Sequence, residues 1–278
     1  MKRPKASTDE VKAKLSELST KAKRSLGQNF LVNKEVINKI IQSVVLRKPQ
    51  QLIEIGPGTG ALTEELLKLG LPLTLIELDR QFAEFWRGRS ITVIEDDALK
   101  VNFAKLGVGK TLLVSNLPYQ ISSTLLIDRS VNKDLVNDMI LMFQKEVAQR
   151  IQAPHWTSDY GLLSVIAQTF WKVSRVCDAN PSSFYPPPNV ASRVLAFERK
   201  DPSEPLQRDV YLKFVKAAFA QRRKFLSKNL KAILNKATAE EKLIAEIESL
   251  GYSSKVRAEE LKPTDFLALF RRLEKNIL

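Results

Sequence analysis

The sequence predicts an α/β protein: a doubly wound sheet of seven strands, mostly parallel, followed by a small C-terminal helical domain. Three observations carry that expectation. Five short continuous apolar runs of strand length alternate with amphipathic segments, two further runs rich in aromatic and β-branched residues come late, and beyond Lys200 only helical periodicity remains.

The five runs are Gln51–Ile55, Pro72–Glu77, Ile91–Glu95, Thr111–Ser115 and Asp138–Phe143. Each is bounded by Gly, Pro or Asp, and amphipathic stretches such as Ala61–Leu69 separate them. That pattern implies βαβ units and a parallel sheet covered on both faces. Phe170–Cys177 and Arg193–Glu198 flank a Pro-rich loop and should pair as an antiparallel edge. Asp201-Pro202-Ser203-Glu204-Pro205 reads as a linker, with helices over Val210–Leu234, Glu240–Leu250 and Pro263–Leu273. The expected division is a basic, flexible arm over 1–24, the sheet domain over 25–200 and the helical domain over 201–278.

Charge is distributed unevenly. The chain carries 44 Lys+Arg against 31 Asp+Glu, net +13. Residues 1–24 hold 8 basic and 3 acidic groups, residues 25–198 hold 18 and 17, and residues 199–278 hold 18 and 11. The excess therefore lies in the flanks, which suggests a nearly neutral chemical core held against a polyanion by basic arms. Cys177 is the only cysteine and His155 the only histidine, so neither a disulfide framework nor a Cys/His metal site can be built from this chain. Cys177, in an apolar stretch, reads as a small core residue. The first 24 residues contain no apolar signal core, and no uninterrupted apolar run reaches bilayer length, so a cytoplasmic protein without a membrane partner is expected. Asp9, Glu10 and Glu17 argue against an organelle-targeting extension. A monomer is the default.

Glu54-Ile55-Gly56-Pro57-Gly58-Thr59-Gly60 follows the first strand directly. Its glycines permit a tight turn that brings backbone close to a ligand at a helix start. The third glycine comes one position too early for the dinucleotide pattern G-x-G-x-x-G, and no Lys-Ser/Thr follows as in a triphosphate loop. Glu77 ends the second strand, where a carboxylate can accept from two ribose hydroxyls, and Asp97 follows the third, placed to accept from an adenine amino group. Each alone could be a strand-end carboxylate facing water. Three such features at successive carboxyl ends, with the acidic Glu54 before the turn, fit S-adenosylmethionine better than NAD. Upstream, the amides of Gly27-Gln28-Asn29-Phe30-Leu31 could fold over that donor.

Asn116-Leu117-Pro118-Tyr119 closes the fourth strand and is the most informative motif in the chain. The exocyclic nitrogen of adenine is a poor nucleophile because its lone pair is delocalised into the ring. Two carbonyl acceptors, the Asn116 side chain and the Leu117 backbone, could hold its hydrogens so that the lone pair turns toward a methyl donor. Positioning and acceptor dipoles would then do the catalysis without a general base. Pro118 fixes the turn, and Tyr119 offers a ring face to the base. The plain alternative is an ordinary turn with a packed tyrosine.

These motifs, together with Gln28-Asn29-Phe30-Leu31, Ile76-Glu77-Leu78-Asp79, Asp96-Asp97-Ala98-Leu99, Gln144 to Ala148, Tyr160 to Val165, Phe184-Tyr185-Pro186-Pro187-Pro188 and Gln221-Arg222-Arg223-Lys224, resemble the KsgA (RsmA) group of rRNA adenine dimethyltransferases from about Arg24 to about Arg272. The resemblance implies the Rossmann-like class I methyltransferase fold. It also implies an S-adenosylmethionine-dependent N6,N6-dimethylation of two adjacent adenosines in a 3'-terminal hairpin loop of small-subunit (16S) rRNA during ribosome biogenesis. In that family the ribose lies on the position of Glu77, the donor adenine on that of Asp97 beside Leu78 and Ala98, and the methionine end near Gly56 and Gly58. The target amine lies on Asn116, and Phe184 would stack on the target base opposite Tyr119. Gln28, Asn29 and Leu31 would border the donor. Arg222, Arg223, Lys224 and Lys228 are expected on the first helix of the C-terminal domain, binding rRNA phosphates with little base readout. The long Lys-rich N-terminal arm departs from the family. Two readings compete: the erythromycin-resistance dimethyltransferases of large-subunit rRNA, from which Leu117 and the Gln144–Ala148 and Phe184–Pro188 segments lean away, and a non-catalytic RNA-binding assembly factor.

Overall fold

The structure, a computed structural model, describes residues 6–106, 109–132, 136–200, 202, 205–235 and 240–277. Three of the five linker residues, Asp201, Ser203 and Glu204, lie outside them, as do residues 1–5 of the N-terminal arm. In chain order the elements are α1 (Ala6–Glu17), β1 (Phe30–Leu31), α2 (Lys34–Leu46), β2 (Gln51–Ile55), α3 (Thr63–Leu67), β3 (Leu73–Glu77), α4 (Arg80–Arg87) and β4 (Thr92–Glu95). There follow β5 (Thr111–Ser115), α5 (Tyr119–Val131), β6 (Val136–Gln144), α6 (Lys145–Gln152), α7 (Leu162–Phe170), β7 (Trp171–Ala179), β8 (Phe184–Tyr185) and β9 (Ser192–Arg199). The last are α8 (Arg208–Ala218), α9 (Leu226–Leu230), α10 (Glu240–Ser249) and α11 (Pro263–Leu273). No helix among the described residues is long and apolar enough to cross a membrane.

Seven strands form one sheet in the order β4-β3-β2-β5-β6-β9-β7. The pairs β2–β3, β2–β5, β3–β4 and β5–β6 are parallel, and β9 runs antiparallel to β6. From β2 the chain winds outward through β3 to β4, then returns to lay β5 on the other side of β2. This reversal opens a crevice at the carboxyl ends of the central strands, where doubly wound sheets bind ligands. Strands buried on both faces are apolar at most positions, and β5 is buried at all five, with Leu112, Leu113 and Val114 at its centre. On one face α2 packs Val36, Ile37, Ile40 and Val44 into the core, and α4 contributes Phe82, Ala83 and Trp86. Asn33 starts α2 by accepting from the amides of Glu35 and Val36, and Asp79 starts α4 by accepting from Gln81.

Contacts divide the chain into two compact units. The first comprises Met1–Arg129, Lys133–Ala148 and Val173–Arg199, and the second Ser130–Asn132, Gln149–Lys172 and Lys200–Leu278. The second unit thus takes in α7, on the N-terminal side of the single division drawn near Lys200 from sequence. Val165, Ile166, Ala167 and Phe170 of α7 are fully buried, and a helix apolar on several sides must be covered on several sides. Phe170 meets Tyr211 edge-on at 6.0 Å between ring centroids, and Phe270 meets Tyr211 at 5.2 Å and Phe214 at 5.6 Å. These rings form the centre of that unit's core.

The expectation of a flexible arm over residues 1–24 meets a helix, α1, over Ala6–Glu17. Its Val11 and Leu15 are buried one turn apart against the first unit's core. Their i, i+4 spacing supplies an apolar stripe that the lysine-rich composition conceals.

Candidate active site

Strand β2 ends in the glycine turn, and neighbouring side chains fix that turn closely. Gly58 and Gly60 both have positive φ, +50° and +90°. A Cβ at Gly58 would stand 2.9 Å from the Phe30 ring, and one at Gly60 would stand 2.5 Å from the Trp86 ring, so only glycine fits either position. The turn's carbonyls are held as well. Trp86 Nε1 donates to Gly58 O at 3.0 Å, and Lys14 Nζ donates to Thr59 O at 2.9 Å. At Gly56, by contrast, a Cβ would meet nothing within 4 Å, so this glycine faces open space.

Glu77 ends β3 directly beside the turn. Its Oε2 accepts from the Gly58 amide at 3.2 Å and its Oε1 from the Asp79 amide at 2.8 Å, which orients both oxygens on the cavity wall. Burial raises the Glu77 carboxyl above its usual range, while the Asp79 and Gly58 amides pull it back down. Glu54 is buried nearby, and its Oε2 has no hydrogen-bond partner. Burial pushes its carboxyl up to about 8, and the Glu77 charge pushes the same way. Asp97, after β4, accepts from the Leu99 amide through Oδ1 at 3.0 Å, leaving Oδ2 uncommitted. Leu78 beside it is 56% exposed, an apolar side chain held at a strand end with no core to cover it, while Ala98 is buried.

Asn116 follows β5 across the crevice. Its Nδ2 donates to Asn29 O at 2.9 Å, which assigns the amide orientation and leaves Oδ1 as a free acceptor. Leu117 is buried. The Tyr119 hydroxyl lies 2.7 Å from Ser192 Oγ, anchoring the ring at its far end, and burial raises that hydroxyl's pKa. One cavity in the first unit is bordered by Glu54, Gly56, Glu77, Asp97, Asn116 and Tyr119. Gln28, Asn29, Leu31, Gly58, Leu78, Ala98, Leu117 and Pro118 also border it.

Three placements differ from the sequence expectation. Phe184 is only 4% exposed and does not border the cavity. It sits in β8, paired with Leu31 of β1, and is buried in the first unit's core instead of lining the cavity. Gln28 borders the cavity, but its side chain serves the protein, donating to Asp79 Oδ2 at 2.9 Å and accepting from the Lys23 amide at 2.8 Å. Arg222, Arg223 and Lys224 lie in the loop between α8 and α9, not on a helix. Buried Asn229 makes that break, donating from Nδ2 to Ala218 O at 2.8 Å and Gln221 O at 3.0 Å. All three basic residues are exposed, and Arg222 pairs with Glu259 at 2.7 Å. Lys228 in α9 pairs with Glu240 at 2.5 Å. Lys14, Trp86 and Ser192 went unnoticed in the sequence, because each acts through a contact with residues at least 28 positions away.

Over residues 19–275 the sequence matches the family described as ribosomal RNA adenine dimethylase. The chain belongs to that family. It is an rRNA adenine dimethyltransferase with the class I methyltransferase fold. A relative from Bdellovibrio bacteriovorus, named ribosomal RNA small subunit methyltransferase A, is 54% identical over 252 residues, covering 90% of this chain and 92% of the relative. The crystal structure of a dimethyladenosine transferase from Plasmodium falciparum superposes with a TM-score of 0.75 at 28% identity, covering 88% of this chain and 98% of that one. The 23S rRNA methyltransferase ErmE shares the fold, with a TM-score of 0.66 at 22% identity over 88% of this chain and all of its own.

Proposed function

We propose that this dimethyltransferase uses S-adenosylmethionine to methylate N6 of two adjacent adenosines in a 3'-terminal hairpin loop of small-subunit rRNA during ribosome biogenesis. The observation that carries the reading is the convergence of Glu77, Asp97 and Asn116, from three strand ends, on one cavity beside the glycine turn. The residues fit the donor. Glu54 Oε2 is a buried acceptor lacking a partner, and Gly56 opens onto empty space where a ligand backbone can approach. Glu77 retains lone pairs for a ribose diol beside the Gly58 amide it fixes, and Asp97 Oδ2 with the exposed Leu78 suits an adenine edge and face.

When bound, S-adenosylmethionine supplies a sulfonium-borne methyl group, an electrophile that needs no further activation. Asn116 Oδ1 and Leu117 O accept the two amino hydrogens of the target adenine and turn its lone pair toward the donor side. Tyr119 supports the base with its ring and is held from behind by Ser192. As positive charge develops on the nitrogen, the same two carbonyl dipoles stabilise it, and the excess proton then leaves to water. No general base is required.

The small-subunit assignment draws on the name carried by the 54%-identical relative and on the family resemblance of the whole motif set. Incubation with labelled S-adenosylmethionine and unmethylated small and large ribosomal subunits tests it. Label on two adjacent adenines of small-subunit rRNA is the expected result. Label in the large subunit would identify the erythromycin-resistance activity instead, and donor binding without any transfer would identify an assembly factor.

A further inference from the structure

Trp156 is the most exposed aromatic side chain among the described residues, 66% accessible, and its backbone adopts φ +68°. Single apolar residues at a surface are common, but a bulky side chain in the left-handed region carries strain that the surrounding structure must hold in place. Here the Trp156 amide donates to Glu259 O at 2.8 Å. Glu259 also binds Arg222 through its carboxylate at 2.7 Å, and Arg222 donates a second bond to Thr157 O at 3.2 Å. One residue thus fixes both the exposed ring's backbone and the guanidinium next to it in the contact network. Arg222 keeps Nη1 without a bond to any described residue. It also borders a surface cavity together with Arg150, Asp159, Tyr160, Leu162 and Ser164. Exposed Arg223 and Lys224 follow directly in the chain.

We infer that Trp156 and Arg222 form a landing site for one unpaired nucleotide of the RNA substrate, with a base stacked on the Trp156 indole and its phosphate on the Arg222 guanidinium. The inference rests on the rRNA-substrate reading above. The cationic surroundings fit a phosphate backbone, and an indole held open at a surface fits a base face. Such stacking tolerates any base, so the site contributes affinity and not sequence choice. The strained backbone keeps the ring presented before RNA arrives, which reduces the ordering cost of binding.

The chain has three tryptophans, and Trp86 and Trp171 are buried, so Trp156 dominates any change in tryptophan accessibility. Acrylamide quenching should fall when unmethylated small ribosomal subunits are added, and ultraviolet crosslinking should yield a nucleotide adduct on the Trp156 peptide. Trp156→Ala should weaken particle binding by about 5- to 150-fold, with Trp156→Phe close to wild type and donor affinity unchanged. The inference is overturned if Trp156→Leu binds as well as Trp156→Phe, or if the crosslink joins Trp156 to a ribosomal protein. A wild-type enzyme that methylates the particle while Trp156 stays fully quenchable overturns this inference alone. An enzyme that neither binds nor methylates the small subunit overturns the substrate reading, and the inference with it.

Discussion

Asn116 divides one amide between two tasks: its Nδ2 ties the motif to Asn29 O, which turns its Oδ1 toward solvent-accessible space at the crevice. Glu77 is similarly double, since it borders the cavity while accepting from the amides of Gly58 and Asp79. Glu77→Ala should therefore weaken S-adenosylmethionine binding by roughly 2–4 kcal/mol, because charge-assisted bonds to the ribose vanish and the glycine turn loses its brace. Calorimetric titration of the variant checks this, and an unchanged affinity would remove Glu77 from the site. Glu54 offers a pH test. Its carboxyl titrates at about 8 in the folded protein against an ordinary 4.5 when unfolded, so the folded state holds the proton more tightly. Its contribution to stability is full below the unfolded value and is lost as pH rises through about 8. Glu54→Gln resembles the protonated carboxyl, so without donor it should melt close to wild type at about pH 5 and above wild type at about pH 9. Thermal unfolding at both values decides it; an equal difference at each would mean that the proton is not held there. Strand-end carboxylates and the Asn116 motif were legible in sequence because a parallel sheet delivers every strand's carboxyl end to one edge. The position of Phe184 was not, since its strand pairs with Leu31, far away in the chain.

At the scale of elements, five sheet strands could be read from continuous apolar runs and two from runs rich in aromatic and β-branched residues, and observed bounds differ from those runs by no more than two residues at either end. Two helical features escaped the same reading. The basic segment after α8 carries helical periodicity without Gly or Pro, yet Asn229 caps the chain there and turns Arg222–Lys224 into a loop. α1 was masked by its lysines, though these matter in the folded protein. Lys14 Nζ reaches Thr59 O at 2.9 Å and Glu64 at 3.3 Å, so this helix reinforces the glycine turn from outside. Lys14→Met keeps the side-chain length and apolar stem but removes that bond. It should weaken donor binding by roughly tenfold, in line with one hydrogen bond from a charged group, while the rate at saturating donor stays near wild type. Steady-state kinetics against donor concentration separate the two effects, and a lowered saturated rate with an unchanged KM would contradict this role.

Across the whole molecule, charge segregation is the feature that composition showed most directly. The cavity bordered by Glu77, Asp97 and Asn116 lies in the first unit, and the residues after Lys200 hold much of the surplus positive charge. The second unit's inclusion of α7 was not legible, because a linker signal marks where sequence character changes and not where helices bury their faces. Replacing Arg222, Arg223 and Lys224 by Ala should weaken rRNA binding and flatten its salt dependence, with each lost phosphate contact reducing the slope by about 0.9. RNA affinity across a salt series provides the check, and parallel lines for wild type and variant would place this loop off the RNA.

The central claim is that acceptor geometry at Asn116, and not a base, activates the adenine nitrogen. Single-turnover methyl transfer to unmethylated small subunits, with donor and enzyme both saturating, measures that step directly. Asn116→Ala should lower the rate by roughly 100-fold or more with donor affinity and particle binding near wild type, the loss expected for one transition-state dipole in a closed site. A near-normal single-turnover rate in that variant would contradict the account.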